Sequence, residues 1–186
     1  MIFIAGKTCS GKTRIVNELC KKYGYKKIVT YTTRPIRKGE KNGIDYHFIS
    51  NEEFQEKIDS GFSAEYKTYD TEFGLWYYGV SAHDILEADS KNVVIVTPAG
   101  FNDITARYPS LSYRLLYIYA NTSSIKRRLK KRGDNDKEAE RRFETDREDF
   151  KGFESKADRI CYNNNGNDSF EQVVTYIKEY LEEYGR

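Results

Sequence analysis

Residues 6–13 read Gly6-Lys7-Thr8-Cys9-Ser10-Gly11-Lys12-Thr13, the pattern G-x-x-x-x-G-K-T. The apolar run Ile2-Phe3-Ile4-Ala5 precedes it. An amphipathic segment with Ile15, Val16, Leu19 and Cys20 at helical spacing follows it. A strand, a glycine-bounded loop and a helix in that order leave few folds open. The backbone N–H groups of such a loop, with the helix N-terminus behind them, form a cradle for phosphate anions. Lys12 is placed to reach the outer phosphates of a nucleoside triphosphate, and the Thr13 hydroxyl to help hold Mg²⁺. The competing reading, a Gly/Ser-rich turn with an incidental lysine, does not account for the strand and helix on either side.

The rest of the chain supports an α/β fold. Short apolar runs at 2–5, 28–32, 93–97, 114–119 and 159–162 read as strands. They alternate with helical patterns at 12–23, 51–59, 82–89, 100–107, 123–132, 137–150 and 169–183. Alternation of this kind predicts a parallel sheet covered by helices. Val93-Val94-Ile95-Val96 is the unbroken apolar run of a central parallel strand. Ser50 followed by Glu53 has the spacing of a capping box, and Ser169 is placed to open the last helix. Residues 30–81 differ, being rich in Gly, Tyr and charge, and predict a small inserted antiparallel lobe.

Composition narrows the function classes. A chain of 186 residues supports one well-cored domain. Mean hydropathy is −0.79, as expected of a solvated surface. The net charge of +2 is too small to argue for nucleic acid. Cys9, Cys20 and Cys161 are scattered, without the spacing of a disulfide framework or zinc site. Cys9 sits in the loop beside a helix start, either as an oxidation-sensitive thiol or as a small filler. The first apolar run ends in the phosphate loop and is no signal peptide, and no run approaches the roughly 18 apolar residues of a membrane span. The expectation is a cytoplasmic chain, a monomer or homodimer, without membrane or nucleic-acid partners. His47 and His83 build no metal or triad constellation.

Two further blocks carry chemistry. Tyr31-Thr32-Thr33-Arg34-Pro35-Ile36-Arg37-Lys38-Gly39-Glu40 leads into Gly43-Ile44-Asp45-Tyr46-His47-Phe48. The forked guanidiniums of Arg34 and Arg37 suit bidentate binding of a second phosphate group, and Tyr46 adds a neutral donor. A solvated basic turn is the plainer alternative. The other block, Lys126-Arg127-Arg128-Leu129-Lys130-Lys131-Arg132-Gly133, precedes the polar turn Asp134-Asn135-Asp136 and a helix bearing Arg141 and Arg142. Arg127 and Lys130 read as a solvated face.

The order T-T-R-x-x-R-x-G-E-x-x-G-x-D-Y-x-F downstream of a phosphate loop resembles the guanylate kinase family. The resemblance runs over nearly the whole chain, through Tyr77-Tyr78-Gly79, the strand at 93–97, the basic block and Asn163. It implies a P-loop NTPase three-layer sandwich in a single domain, 1–186. The core spans 1–29, 82–122 and 151–186, a small mixed or antiparallel acceptor-binding lobe about 30–81, and a helical lid about 123–150. It also implies transfer of the ATP γ-phosphoryl to GMP or dGMP with Mg²⁺ as cofactor. Gly6, Thr8, Cys9, Ser10, Gly11, Lys12, Thr13, Arg132 and Asn163 then fall on the ATP side. Arg34, Arg37, Tyr46 and Tyr78 match the acceptor-phosphate contacts, and Glu40 and Asp45 brace the arginines. Thr30 matches a guanine-touching serine, and Glu65 matches the carboxylate that accepts from guanine N1 and N2 hydrogens. Arg132 and Arg142 match the two lid arginines that join Lys12 and Arg34 in catalysis. The spacing is one residue short, which leaves Arg141 as an alternative to Arg142.

Departures from the family pattern concentrate on the base and metal side. Its two strand-end aspartates are replaced by Ile95 and Thr97, its serine after Tyr-Gly by Val80 with Ser81 adjacent, and its loop proline by Lys7. Thr97 and Ser81 are the remaining hydroxyls for the acceptor side. Losing one charged hydrogen bond removes about 1.5–3 kcal/mol, or roughly ten- to a hundred-fold in rate. Two alternatives follow: a kinase of the same fold acting on another acceptor such as ribose 1,5-bisphosphate, or a non-catalytic interaction module.

Overall fold

A computed structural model describes residues 1–132, 136–164 and 170–184. Ser169, expected to open the last helix, lies outside the described residues, as do Gly133, Asp134 and Asn135 of the polar turn. The chain forms two compact units, Met1–Lys27 with Ser90–Pro98 and Tyr113–Arg186, and Ile28–Asp89 with Ala99–Ser112.

The first unit is built on five parallel strands in the order β2-β7-β1-β8-β9: β1 (Ile2–Ala5), β2 (Lys26–Lys27), β7 (Asn92–Ile95), β8 (Arg114–Tyr119) and β9 (Arg159–Tyr162). Ile2 lies between Val93 and Arg114, and Ile4 between Ile95 and Leu116. β1 is buried at every position, as a central strand covered on both faces must be. Helices α1 (Lys12–Tyr23) and α7 (Phe170–Tyr184) place Ile15, Val16, Leu19, Val174 and Ile177 against Ile2, Ile4, Leu116 and Ile118. The chain leaves β1 for strands on both sides of it, and the phosphate loop lies at the carboxyl end of that switch-point strand. α5 (Thr122–Arg132) and α6 (Asp136–Asp149) follow β8. A 3₁₀ turn at Phe153–Lys156 leads into β9.

The second unit holds a four-strand mixed sheet, ordered β4-β3-β6-β5: β3 (Tyr31–Thr32), β4 (His47–Phe48), β5 (Ser63–Thr71) and β6 (Gly74–Ser81). β3 pairs parallel with β4 and antiparallel with β6, so of the two expected forms, mixed or antiparallel, the lobe takes the mixed one. Its helices are α2 (Asn51–Asp59), α3 (Ala82–Leu86) and α4 (Pro98–Arg107), the last from Ala99 onward. Ser50 and Glu53 form the predicted capping box, each side chain accepting the other's backbone N–H.

One predicted strand is corrected. Residues 28–32 do not form a single strand. Lys26–Lys27 pair with Asn92–Val93 in the first sheet, and Tyr31–Thr32 pair with Gly79 and Tyr78 in the second. Of the predicted run only Tyr31–Thr32 is a strand, while residues 28–30 carry the chain from one sheet to the other; an apolar run signals burial without saying which residues pair.

Candidate active site

The phosphate loop has three positions at positive φ, two of them glycines. Gly6 has φ 148°, and a Cβ there would lie 2.4 Å from the Ile118 carbonyl oxygen. Gly11, the N-cap of α1, has φ 104°, and its Cβ would lie 2.2 Å from Asn163 Nδ2. Cys9 is the only non-glycine residue at positive φ among the described residues. Asn163, 6% exposed, donates from Nδ2 to the Ser10 carbonyl at 2.7 Å. Lys12 Nζ turns back to donate to the carbonyls of Gly6 at 2.6 Å and Lys7 at 2.9 Å. Burial pushes the Lys12 ammonium below its ordinary pKa. Asp146 and Cys9 oppose that shift, and nearby Arg132 adds to it. The Thr13 side chain is exposed at the start of α1, open to a nucleotide-borne cation.

Two residues of this half escaped the sequence reading. Arg128, in the sequence one residue of a basic block, donates to the carbonyls of Cys9 at 3.0 Å, Ser10 at 3.1 Å and Asn163 at 2.7 Å. It ties α5 to the loop and to the end of β9. Its signal was its place on the helix, three residues after buried Ile125 and next to buried Leu129. Asp146 of α6 accepts a hydrogen bond from the Thr8 N–H. Arg127 and Lys130 are exposed, as expected. Arg132 ends α5 and is exposed, while Arg141 and Arg142 are half-buried on α6.

In the second unit the Thr-Thr-Arg sequence acquires a structural meaning. The Thr32 hydroxyl donates to the Tyr77 carbonyl at 2.9 Å and accepts from the Arg34 N–H at 3.2 Å. The Thr33 hydroxyl accepts from the Tyr77 N–H at 3.0 Å. These bonds lock the arginine turn to β6, which carries Tyr78. Arg34 is 3% exposed. Its guanidinium donates to both carboxylate oxygens of Glu40, at 2.9 and 3.0 Å, and to the Pro35 carbonyl at 2.7 Å. Three of its five N–H donors are thereby used and two remain for an anion.

Glu40 also accepts from the Arg37 backbone N–H at 2.8 Å. Burial alone would raise the Glu40 carboxyl, but the Arg34 and Arg37 hydrogen bonds outweigh it and hold the pKa below its usual range. The Glu40 brace is therefore seen for Arg34. Asp45 accepts from the Lys41 N–H at 2.8 Å. Tyr46 lies 5.5 Å beneath the Arg34 guanidinium and packs edge-on to Tyr78 at 6.1 Å. Arg34, Glu40, Tyr46 and Tyr78 are thus one cluster, with half-buried Arg37 on the same turn.

Glu65 follows a register shift between Ser63 and Glu65 in β5, an irregularity that re-aims a side chain. Arg107 of α4 donates to the Ser63 carbonyl at 2.8 Å and the Ala64 carbonyl at 3.2 Å, satisfying the irregular backbone. Gly100 leaves room for the carboxyl, since a Cβ there would lie 3.0 Å from Glu65 Oε1. Burial, with Asp103 of α4 adding to it, pushes the Glu65 pKa up to about 7. The Thr30 carbonyl accepts from the His47 N–H at 2.8 Å, and its side chain is half-buried. The Ser81 hydroxyl caps α3 by accepting from the Asp84 N–H. Thr97 belongs to the first unit, two residues past the end of β7 at Ile95. His47 stacks on Tyr31 at 4.5 Å, and exposed His83 neighbours Asp84. No group of three or more His, Cys, Asp or Glu side chains able to hold a metal occurs among the described residues.

The chain matches known proteins over nearly its whole length. The guanylate kinase family profile matches residues 1–184. A guanylate kinase from Syntrophus aciditrophicus is 30% identical, covering 95% of this chain and 83% of that protein. One from Chlorobium luteolum is 26% identical, covering 97% and 92%. Among solved structures, guanylate kinase from Anaplasma phagocytophilum superposes with a TM-score of 0.70 at 21% identity, covering 98% of this chain and 84% of that one, which establishes the shared fold. With a whole-length profile match on top of the loop and the arginine turn, the chain belongs to the guanylate kinase family.

Proposed function

We infer that the chain transfers the γ-phosphoryl group of ATP to GMP, giving ADP and GDP. One observation carries this reading. The same chain holds an intact phosphate loop and, separately, a buried arginine fixed by Glu40 among tyrosines with two N–H donors left over. Two phosphate-holding sites are what a kinase with a phosphorylated acceptor requires.

A phosphate oxygen of GMP attacks the γ-phosphorus in line. The bond from that phosphorus to the β,γ-bridging oxygen breaks, and its electron pair leaves on ADP. Such transfers need positioning and charge neutralisation more than a covalent partner. Loop N–H groups and Lys12 hold the ATP phosphates, for which Lys12 must swing from the Gly6 and Lys7 carbonyls. Arg34, Arg37, Tyr46 and Tyr78 hold the acceptor phosphate, with Glu40 fixing the Arg34 plane. Arg132 and Arg142 neutralise the charge that builds on the transferring group. Glu65 in its carboxylate form accepts the two adjacent N–H donors of the guanine edge, which adenine lacks. Thr30, Thr97 and Ser81 complete the proposed acceptor set. The exposed Thr13 hydroxyl suits Mg²⁺ carried by the nucleotide, an ion that keeps several waters and takes few protein ligands. When bound, it supplies charge neutralisation on the β- and γ-phosphates.

A coupled assay of ADP release with GMP, dGMP, AMP, CMP, UMP and ribose 1,5-bisphosphate tests this. GMP or dGMP turns over fastest, and Lys12→Ala abolishes the signal. Absence of turnover with either guanine nucleotide refutes the reading.

A further inference from the structure

Asp146 lies on α6, and its carboxylate accepts the Thr8 N–H of the phosphate loop. That N–H belongs to the set that otherwise faces phosphate. The charged and titratable groups acting on Asp146 lie on the loop, α1, α6 and β8. Lys7 lies on the loop, Lys12 on α1 and Asp149 on α6. Tyr117 of β8 senses the carboxylate as well. Lys12, the side chain that reaches a nucleotide's outer phosphates, feels Asp146 as its strongest stabilising charge. A half-buried anion bonded to a loop N–H and close to that lysine stands where an outer phosphate oxygen would stand.

α6 is fastened to α5 by Ala139 and Phe143, which pack on Ile125 and Leu129 beside Cys9. Asp146 lies one turn beyond Arg142 on the same helix face, since residues four apart are stacked. The helix carrying a proposed lid arginine is therefore the helix that sends a carboxylate to the phosphate loop.

We propose that Asp146 is an internal competitor of ATP: its carboxylate fills the outer-phosphate position of the ligand-free loop and must withdraw before the triphosphate binds. Two anions cannot share one set of donors, so entry of the phosphates expels Asp146 and releases that end of α6. Arg142, one turn away on the same helix, moves with it. Protonation of the carboxyl, which burial favours by raising its pKa, weakens the competition. This inference rests on the assignment of residues 6–13 as the ATP site.

The test is calorimetric titration of wild type, Asp146→Ala and Asp146→Asn with magnesium ATP, and separately with GMP. Asp146→Asn keeps the size and an acceptor for Thr8 while removing the charge. The expected result is ATP affinity raised by about tenfold in Asp146→Ala and several-fold in Asp146→Asn, with GMP affinity unchanged. Melting temperature of the ligand-free protein falls in both, because Lys12 and the Thr8 N–H lose their anion. The ratio of wild-type to Asp146→Asn dissociation constants narrows toward one at acid pH. A structural strut would lower stability and ATP affinity together. Unchanged or weakened ATP binding in the variants overturns the proposal while leaving the ATP site intact. If wild type and both variants fail to bind ATP, the site assignment falls and the proposal falls with it.

Discussion

At the scale of single residues, the chemistry turns on two carboxylates in opposite electrostatic states. Glu40 is held charged by the arginine it serves, and its removal would leave Arg34 buried without its partner. Glu65 is pushed the other way, up to about 7, by burial and by Asp103. A raised carboxyl opposes folding as pH climbs from its ordinary value of 4.5 toward about 7, because the unfolded chain ionises first. For the proposed guanine contact the sign is reversed, since there the charged form is the acceptor of the two N–H donors. GMP affinity in the free enzyme is therefore expected to strengthen roughly tenfold between about pH 6 and pH 8. Glu65→Gln should flatten that part of the profile and lose about ten- to a hundred-fold in GMP affinity, leaving ATP affinity alone. The phosphate of GMP titrates identically in both proteins, so the difference between the two KM–pH curves isolates Glu65. Identical curves would remove Glu65 from guanine recognition.

At the scale of elements, the phosphate loop is the product of four segments. β1 delivers it, α1 continues it, and the end of β9 closes on it through Asn163. α5 holds it through the three carbonyl contacts of Arg128. A basic helix that looks solvated in sequence is thus part of the loop's frame. Arg128→Met keeps much of the aliphatic stem and removes the donors. It should cost about 2 kcal/mol of stability by urea unfolding, and weaken ATP binding by about tenfold or more as the loop loosens, while GMP affinity is unchanged. A variant with wild-type ATP affinity would make those three hydrogen bonds irrelevant to the site. Conversely, the register shift beside Glu65 shows how α4 serves β5. Arg107 satisfies its carbonyls, and Gly100 makes room for the carboxyl.

At the scale of the whole molecule, each substrate should stabilise the fold through its own half. A ligand at about 100 times its Kd adds about 2.7 kcal/mol. For a chain of this length that is roughly 5–10 °C in Tm. Scanning calorimetry should show such a shift for ATP and for GMP, and Lys12→Ala should abolish the first and keep the second. Loss of both shifts in that variant would mean that the two sites do not form independently. The loop at 6–13 and the arginine turn at 31–48, the two proposed anion sites, were legible because their chemistry is local, made of backbone N–H donors, glycines freed for unusual φ, and arginines a few residues apart. Apolar runs likewise announced the parallel sheet, since a strand buried on both faces must be apolar throughout. Residues 28–32 read as one strand, yet only Tyr31–Thr32 pair, because an apolar run signals burial and not pairing. Arg128 meets Cys9 across 119 residues of sequence, and Asp146 meets Thr8 across 138. In the sequence each is one charge among many. Only the packing of α5 and α6 decides which of those charges reaches the loop, because a hydrogen bond over that separation depends on where two elements come to rest and leaves no pattern in either one.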